Sequence, residues 1–168
     1  MPAMKKQRSS AAQKTSQKPW PLDQRPGYLI RRLHQIHVAL FQEACAGFDM
    51  TPLQYSLLSA LAVRGTADQT SLAADIALDR TTTTGALKRL EARQFVERPV
   101  SDNDRRARVC RLTPAGAAIL GRIESAARDA HRRTLDPLGK PEQAALIAMM
   151  QRIVAAHAGD GEGADLAD

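Results

Sequence analysis

Apolar residues along this chain recur at helical spacing in six stretches, interrupted once by a segment that alternates like strand. Leu29, Leu33, Ile36, Leu40, Phe41 and Ala44 predict a first helix from Gly27 to Gly47, where the glycine supplies a stop. A second begins at Thr51-Pro52-Leu53-Gln54: Thr51 is a good N-cap, Pro52 suits the first helical position and Gln54 completes a capping box. Its stripe is Leu53, Leu57, Leu58 and Leu61, and Arg64-Gly65 ends it. Ala67 to Thr70 reads as a short extended link that could add a third strand to a hairpin. Ser71 to Leu78 reads as a compact helix with Leu72, Ile76 and Leu78 turned inward. After Asp79 a further helix places Leu87 and Leu90 on one face and leaves Thr81, Thr82, Lys88 and Arg89 pointing away from it.

The period then changes. Phe95 to Pro99 and Arg108 to Leu112 are short strand candidates separated by Ser-Asp-Asn-Asp turn chemistry, so they predict a hairpin whose tip carries Arg105 and Arg106. Thr113-Pro114 repeats the cap-and-proline device and launches a helix from Ala115 to about Thr134. Pro137, Gly139 and Pro141 break it. A last helix, from about Glu142 to His157, has Ala145, Leu146, Met149, Met150 and Ile153 as its apolar face. A short helix, a tight turn, a polar-faced second helix and a hairpin make a winged helix-turn-helix. The predicted fold class is mainly α with a small β-wing.

Four regions follow. Residues 1–26 are polar and basic around Trp20 and three prolines, too poor in apolar area to offset chain entropy, and are predicted to be disordered. Residues 49–113 form the winged helix-turn-helix. Residues 27–48 and 114–157 carry apolar faces too broad for a monomer surface, which predicts that they pair with a second copy of the chain. Residues 158–168 are acidic and expected to fray.

Charge sharpens this picture. The formal net charge is +6, but it is not evenly spread. Residues 1–22 contribute +5 and residues 80–111 another +5, while each remaining stretch is slightly acidic. A protein that presents one face to phosphates has this asymmetry. Aromatics make up only 4%, which argues against a stacking platform for single strands.

Several chemistries find no support. Cys45 and Cys110 are far apart and lack the partners of a disulfide framework or zinc site. No signal peptide or spanning helix is apparent, which predicts a cytoplasmic protein without membrane contact. His34 and His37 stand three apart on the first helix, but no third ligand accompanies them, so no metal or other cofactor is expected. No catalytic residue set or phosphate loop occurs at a recognisable spacing, so the chain does not read as an enzyme.

From about residue 27 to 157 the chain resembles the MarR family of bacterial transcriptional regulators. The motifs that carry the resemblance are the MTPLQYSLLSAL helix, the SLAADIALDRTTTTGALKRLEARQFVER segment and the SDNDRRARVCRLTPAG wing. The wing is the most specific, with an acid, one residue, an arginine and a following Leu-Thr: Asp104, Arg106, Leu112 and Thr113. The resemblance implies that Arg106 enters the minor groove of double-stranded DNA and that Asp104 orients it. It matches Thr81, Thr82 and Thr84 to polar positions of the recognition helix and Arg89 to a basic one near phosphates. Arg80, Lys88, Arg105 and Arg108 complete the DNA-facing set. Two positions depart from the pattern: Gly85 replaces a larger contacting side chain, and Gln94 stands where a helix-ending glycine is common.

The resemblance further implies a homodimeric repressor released from a pseudo-palindromic operator by a small effector bound between the dimerisation helices and the winged helix. Arg31, Arg32, His34, His37 and Tyr55 fall near such a crevice and would suit an aromatic carboxylate or its CoA thioester. Two alternatives stay open on the same fold: a thiol-based redox sensor using Cys45 or Cys110, and a sequence-indifferent DNA binder.

Overall fold

Side-chain caps fix where the helices begin. The computed structural model describes residues 19–100 and 108–158. Helix α1 (Pro26–Ala44) starts with a proline, and α2 (Pro52–Arg64) starts at the predicted capping box. There Thr51 Oγ1 accepts from the Gln54 amide at 3.2 Å while Gln54 Oε1 accepts from the Thr51 amide at 3.0 Å. Gly65, at φ +73°, ends α2 in a backbone conformation that costs glycine little. Asp68 caps α3 (Gln69–Asp75), accepting from the amides of Thr70 and Ser71. Asp79 caps α4 (Arg80–Ala92) through the Thr82 amide, and Thr113 caps α5 (Pro114–Leu135) through the Gly116 amide. Helix α6 (Lys140–His157) follows a corner held by Gln143, whose amide donates to the carbonyls of Leu135 and Leu138.

Among the described residues there are three strands: β1 (Thr66–Asp68), β2 (Val96–Glu97) and β3 (Val109–Leu112). They form an antiparallel sheet in the order β1-β3-β2, with Ala67 opposite Cys110 and Val96 opposite Leu112. The link after Gly65 is therefore a third strand, as its sequence suggested, but it covers Thr66–Asp68, and Gln69 and Thr70 belong to α3. The fold is the mainly helical winged helix-turn-helix expected.

The core lies where α1, α2, α4 and α5 meet the sheet. Phe41, Leu57, Leu58, Leu61, Leu72, Leu87, Leu90, Val96 and Ile123 are all fully buried there. Helix α1 packs chiefly on α5. The apolar residues nearer its N-terminus, Leu29, Ile30, Leu33 and Ile36, are exposed, and α6 has no buried residue at all.

The structure differs from the sequence reading at several element ends: Leu22–Gln24, read as part of a disordered tail, is a short 3-10 helix, α1 stops at Ala44 before Gly47, α6 starts at Lys140 and includes Pro141, and the turn after α3 is displaced. Helix α3 starts at Gln69 and stops at Asp75, and Leu78 is 42% exposed instead of facing inward. Ala77 adopts φ +54°, and this left-handed residue rotates the chain out of the helical stripe before Leu78. Its conformation makes the tight turn between α3 and α4.

Candidate nucleic-acid interface

Helix α4 is anchored on one side and open on the other. Thr83, Ala86, Leu87 and Leu90 are buried, and the Thr83 hydroxyl donates to the Asp79 carbonyl at 2.8 Å. The opposite side exposes Arg80, Thr81, Thr82, Lys88 and Arg89. None of these three cations forms an ion pair with a described residue, whereas Arg64, Arg93, Arg111, Arg128, Arg132 and Arg133 all do. Cations held exposed and unpaired on a helix are free to neutralise phosphates. Bonds from the Thr82 hydroxyl and amide hold the Asp79 carboxyl below the usual carboxylate range, so it stays charged at the helix N-terminus.

Thr84 differs from its neighbours. It is half-buried, its hydroxyl donates to the Arg80 carbonyl at 2.5 Å, and it accepts from the side chain of Gln69. Gly85 has no neighbour within 4 Å of where a Cβ would stand, so the helix leaves room beside the polar face there.

The root of the wing is set by several contacts. Val100 bridges Arg108, whose guanidinium donates to the Arg98 carbonyl at 3.3 Å. Arg111 pairs with Glu97 across the strands at 2.6 Å. The hairpin tip, with Asp104, Arg105 and Arg106, lies outside the described residues. Gln94 ends the turn after α4 at φ +59°, the left-handed conformation in which glycine is favoured.

The residues expected to line an effector crevice divide into groups. His37 on α1 stacks on His131 of α5, with centroids 4.6 Å apart, and its ring stands 6.4 Å from Phe41. Phe41 in turn lies 5.6 Å from Tyr55 on α2. A ladder of rings thus runs from α5 through α1 to the first helix of the DNA-reading unit. The Thr134 hydroxyl donates to the Ala130 carbonyl, so its oxygen is left to accept from His37 Nδ1–H, 3.0 Å away. Burial, with charge repulsion from His131 and His34, holds the His37 pKa below its ordinary value. Tyr55 donates to Glu124 at 2.8 Å; burial and that bond push its phenol up. Tyr55 also borders a groove of about 770 Å³ between α2 and α3, lined by Ser56, Ser59, Ala60, Val63, Arg64, Asp75 and Ile76.

The other nominated residues face elsewhere. Arg31 lies over the ring of Tyr28, and Arg32 donates to Gln35 on the exposed side of α1, where His34 is also exposed. His131 was missed by the sequence reading, because nothing in its spacing ties it to a histidine on another helix. The two cysteines are buried, and burial pushes both thiols up; beside Cys110 the Arg98 guanidinium works in the opposite direction. Among the described residues no cluster of His, Cys, Asp and Glu has the grouping to hold a metal, and no helix is long and apolar enough to cross a membrane.

A short helix, a tight turn, an anchored helix with exposed unpaired cations and an adjoining hairpin define a winged helix-turn-helix DNA-binding protein. The model of the MarR family matches residues 50–107. The HTH-type transcriptional repressor NicR of Pseudomonas putida is 30% identical over 150 residues, 85% of this chain and 95% of that protein. The chain therefore belongs to the MarR family of winged helix-turn-helix transcriptional regulators. Among solved structures, Bordetella bronchiseptica BpsR, described in terms of regulation of its DNA binding by 6-hydroxynicotinic acid, superposes with a TM-score of 0.77 at 28% identity, covering 81% of this chain and 97% of that one. The transcriptional repressor CouR bound to a 23-mer DNA duplex superposes at 0.73 with 29% identity, covering 79% and 94%.

Proposed function

We propose that the protein is a homodimeric repressor that holds a pseudo-palindromic operator and releases it when a small aromatic acid, or its CoA thioester, binds. The observation that carries the DNA-binding part is the open face of α4, where Arg80, Lys88 and Arg89 stand exposed, with no ion pair among the described residues, beside Thr81 and Thr82. Two such helices, held at a fixed separation, read half-sites one helical turn apart. The exposed apolar faces of α1 and α6 support pairing with a second copy, because burying them removes apolar side chains from water. In the wing, Arg106 is assigned to the minor groove, with Asp104 orienting it and Arg105 and Arg108 at the backbone.

Support for an aromatic effector comes from BpsR, whose DNA binding is described as regulated by 6-hydroxynicotinic acid. The ladder His131, His37, Phe41 and Tyr55 offers rings with hydrogen-bonding edges next to the dimerisation helices, and an aromatic acid wedged against it would move α1 relative to α2. Such a ligand weakens DNA binding only by preferring the arrangement that misplaces the recognition helices. Arg31, Arg32 and His34 would serve it only if the second copy or the ligand draws them in.

Binding to the protein's own promoter DNA tests the first part. Arg106→Ala is expected to weaken it by about 1–3 kcal/mol while the dimer stays intact; wild-type affinity in this variant refutes the wing assignment. A thermal-shift and DNA-release screen with aromatic acids and their thioesters tests the second, and silence across both classes refutes it.

A further inference from the structure

Arg98 holds a charge that neither the core nor the exposed cations account for. Its side chain is only 13% exposed, and its ion pair with Glu91 is long, at 3.7 Å. Its Nε–H is buried without a hydrogen-bond partner among the described residues. A guanidinium so far from solvent depends on polar partners to offset its desolvation. The long pair with Glu91 does not by itself account for where this guanidinium sits.

Its contacts do. Arg98 follows β2 at the root of the wing, and its NH2 donates to Gln69 Oε1 at 3.1 Å. Gln69 is the first residue of α3, and the other end of its carboxamide faces the recognition helix. There Nε2 donates to Thr84 Oγ1 and stands 3.5 Å from the Arg80 carbonyl. The orientation of the carboxamide is dictated on both sides: turned over, it would set NH2 against a guanidinium and C=O against a carbonyl. The main chain closes the connection, because the Arg98 carbonyl accepts from Arg108 on the returning side of the hairpin.

We propose that Gln69 and Arg98 are positioning residues whose side-chain relay sets the angle between α4 and the wing. The relay lets helix and hairpin engage one duplex at the same time. It rests on the DNA-binding reading above. Its consequence is selective. A sequence that must be met by both elements together loses affinity when the relay is cut, whereas attraction between exposed cations and phosphates is unaffected.

Gln69→Met keeps length and charge and removes the hydrogen bonds of the carboxamide; Arg98→Met replaces the cation with an apolar chain. The probes are the duplex that wild-type protein recovers from a randomised pool and a scrambled duplex of equal length, compared at one salt concentration. Each variant is expected to bind the recovered duplex about tenfold more weakly. Gln69→Met should bind the scrambled duplex as wild type does, with an unchanged unfolding midpoint, and the double variant should be no weaker than Arg98→Met alone. An unchanged preference for the recovered duplex in Gln69→Met overturns the relay, as does a loss that appears only together with a fall in midpoint. A wild-type protein that recovers no preferred duplex refutes the DNA-binding reading itself.

Discussion

Gly116 is the position where one methyl group should do most damage. It is buried in the first turn of α5, directly against the end of the turn that leads into β2. A Cβ placed on it would lie 1.9 Å from the Phe95 carbonyl oxygen and 2.9 Å from the carbonyl carbon, both backbone atoms. Such contacts essentially never fall under 3.0 Å, so α5 and the wing root must separate by at least 1.1 Å, the difference between 3.0 and 1.9. That movement pulls on the Phe95 carbonyl, which accepts from the Thr113 amide at 3.1 Å, and on the Thr113 hydroxyl, which donates to the Gln94 carbonyl at 2.6 Å. Overpacking costs about 1–3 kcal/mol and a lost hydrogen bond about 1, against roughly 0.5–1 gained because alanine suits a helix better than glycine. Gly116→Ala should thus destabilise by about 1–3.5 kcal/mol. Gly121, one and a half turns further along the same helix, is exposed with nothing within 4 Å of its would-be Cβ, and Gly121→Ala should stabilise by about 0.5–1 kcal/mol. Urea unfolding of both variants at one protein concentration separates the two effects, provided the slope stays constant. If both substitutions move the midpoint in the same direction, or Gly116→Ala is as stable as wild type, the close approach is not what that glycine is for.

Three further outcomes are expected. Gln94 is exposed at φ +59°, so Gln94→Gly should relieve strain and raise stability by about 1 kcal/mol in the same unfolding assay. His37 has a folded-state pKa below its ordinary 6.5, so the unfolded chain takes up its proton first as the pH falls. Stability present above pH 6.5 is therefore lost on going down through the window beneath it, and His37→Gln should flatten that slope while leaving the one below pH 4.5, where lowered carboxyls such as Glu124 and Asp79 titrate. Cys45 and Cys110 are buried with thiols pushed up, so neither should react with a thiol reagent until the chain unfolds; fast reaction of the native protein would revive the redox-sensing alternative.

Much of this architecture could be read from local chemistry, because caps act over three residues. Thr51, Pro52 and Gln54, and again Thr113 and Pro114, announce helices that begin where those residues say. The cations of α4 were equally legible, since charge and helical period together decide which side faces solvent. Departures arose where conformation overrode propensity. Ala77 is a residue type that avoids positive φ, so nothing marked the turn that carries Leu78 to the surface. Asp68 caps α3 from within a strand, a double role that hid the true start of that helix. Long-range partners were hidden for a simpler reason: the stacking of His37 on His131 and the reach of Arg98 to Gln69 depend on packing between elements, which no spacing along the chain encodes.

Helix α6 spans 18 residues and buries none of them within its own chain. A helix in that position draws little stability from the fold that carries it, although packing of an apolar face is where most helical stability in proteins comes from. If its apolar side is completed by a second copy, its order is a property of the population and not of the molecule. Dilution would then unravel the arms while the winged helix-turn-helix core stayed folded, leaving single DNA-reading heads that each grip only half a site. The abundance at which the chain is made would set, by mass action, whether the pair of recognition helices exists as a ruler at all.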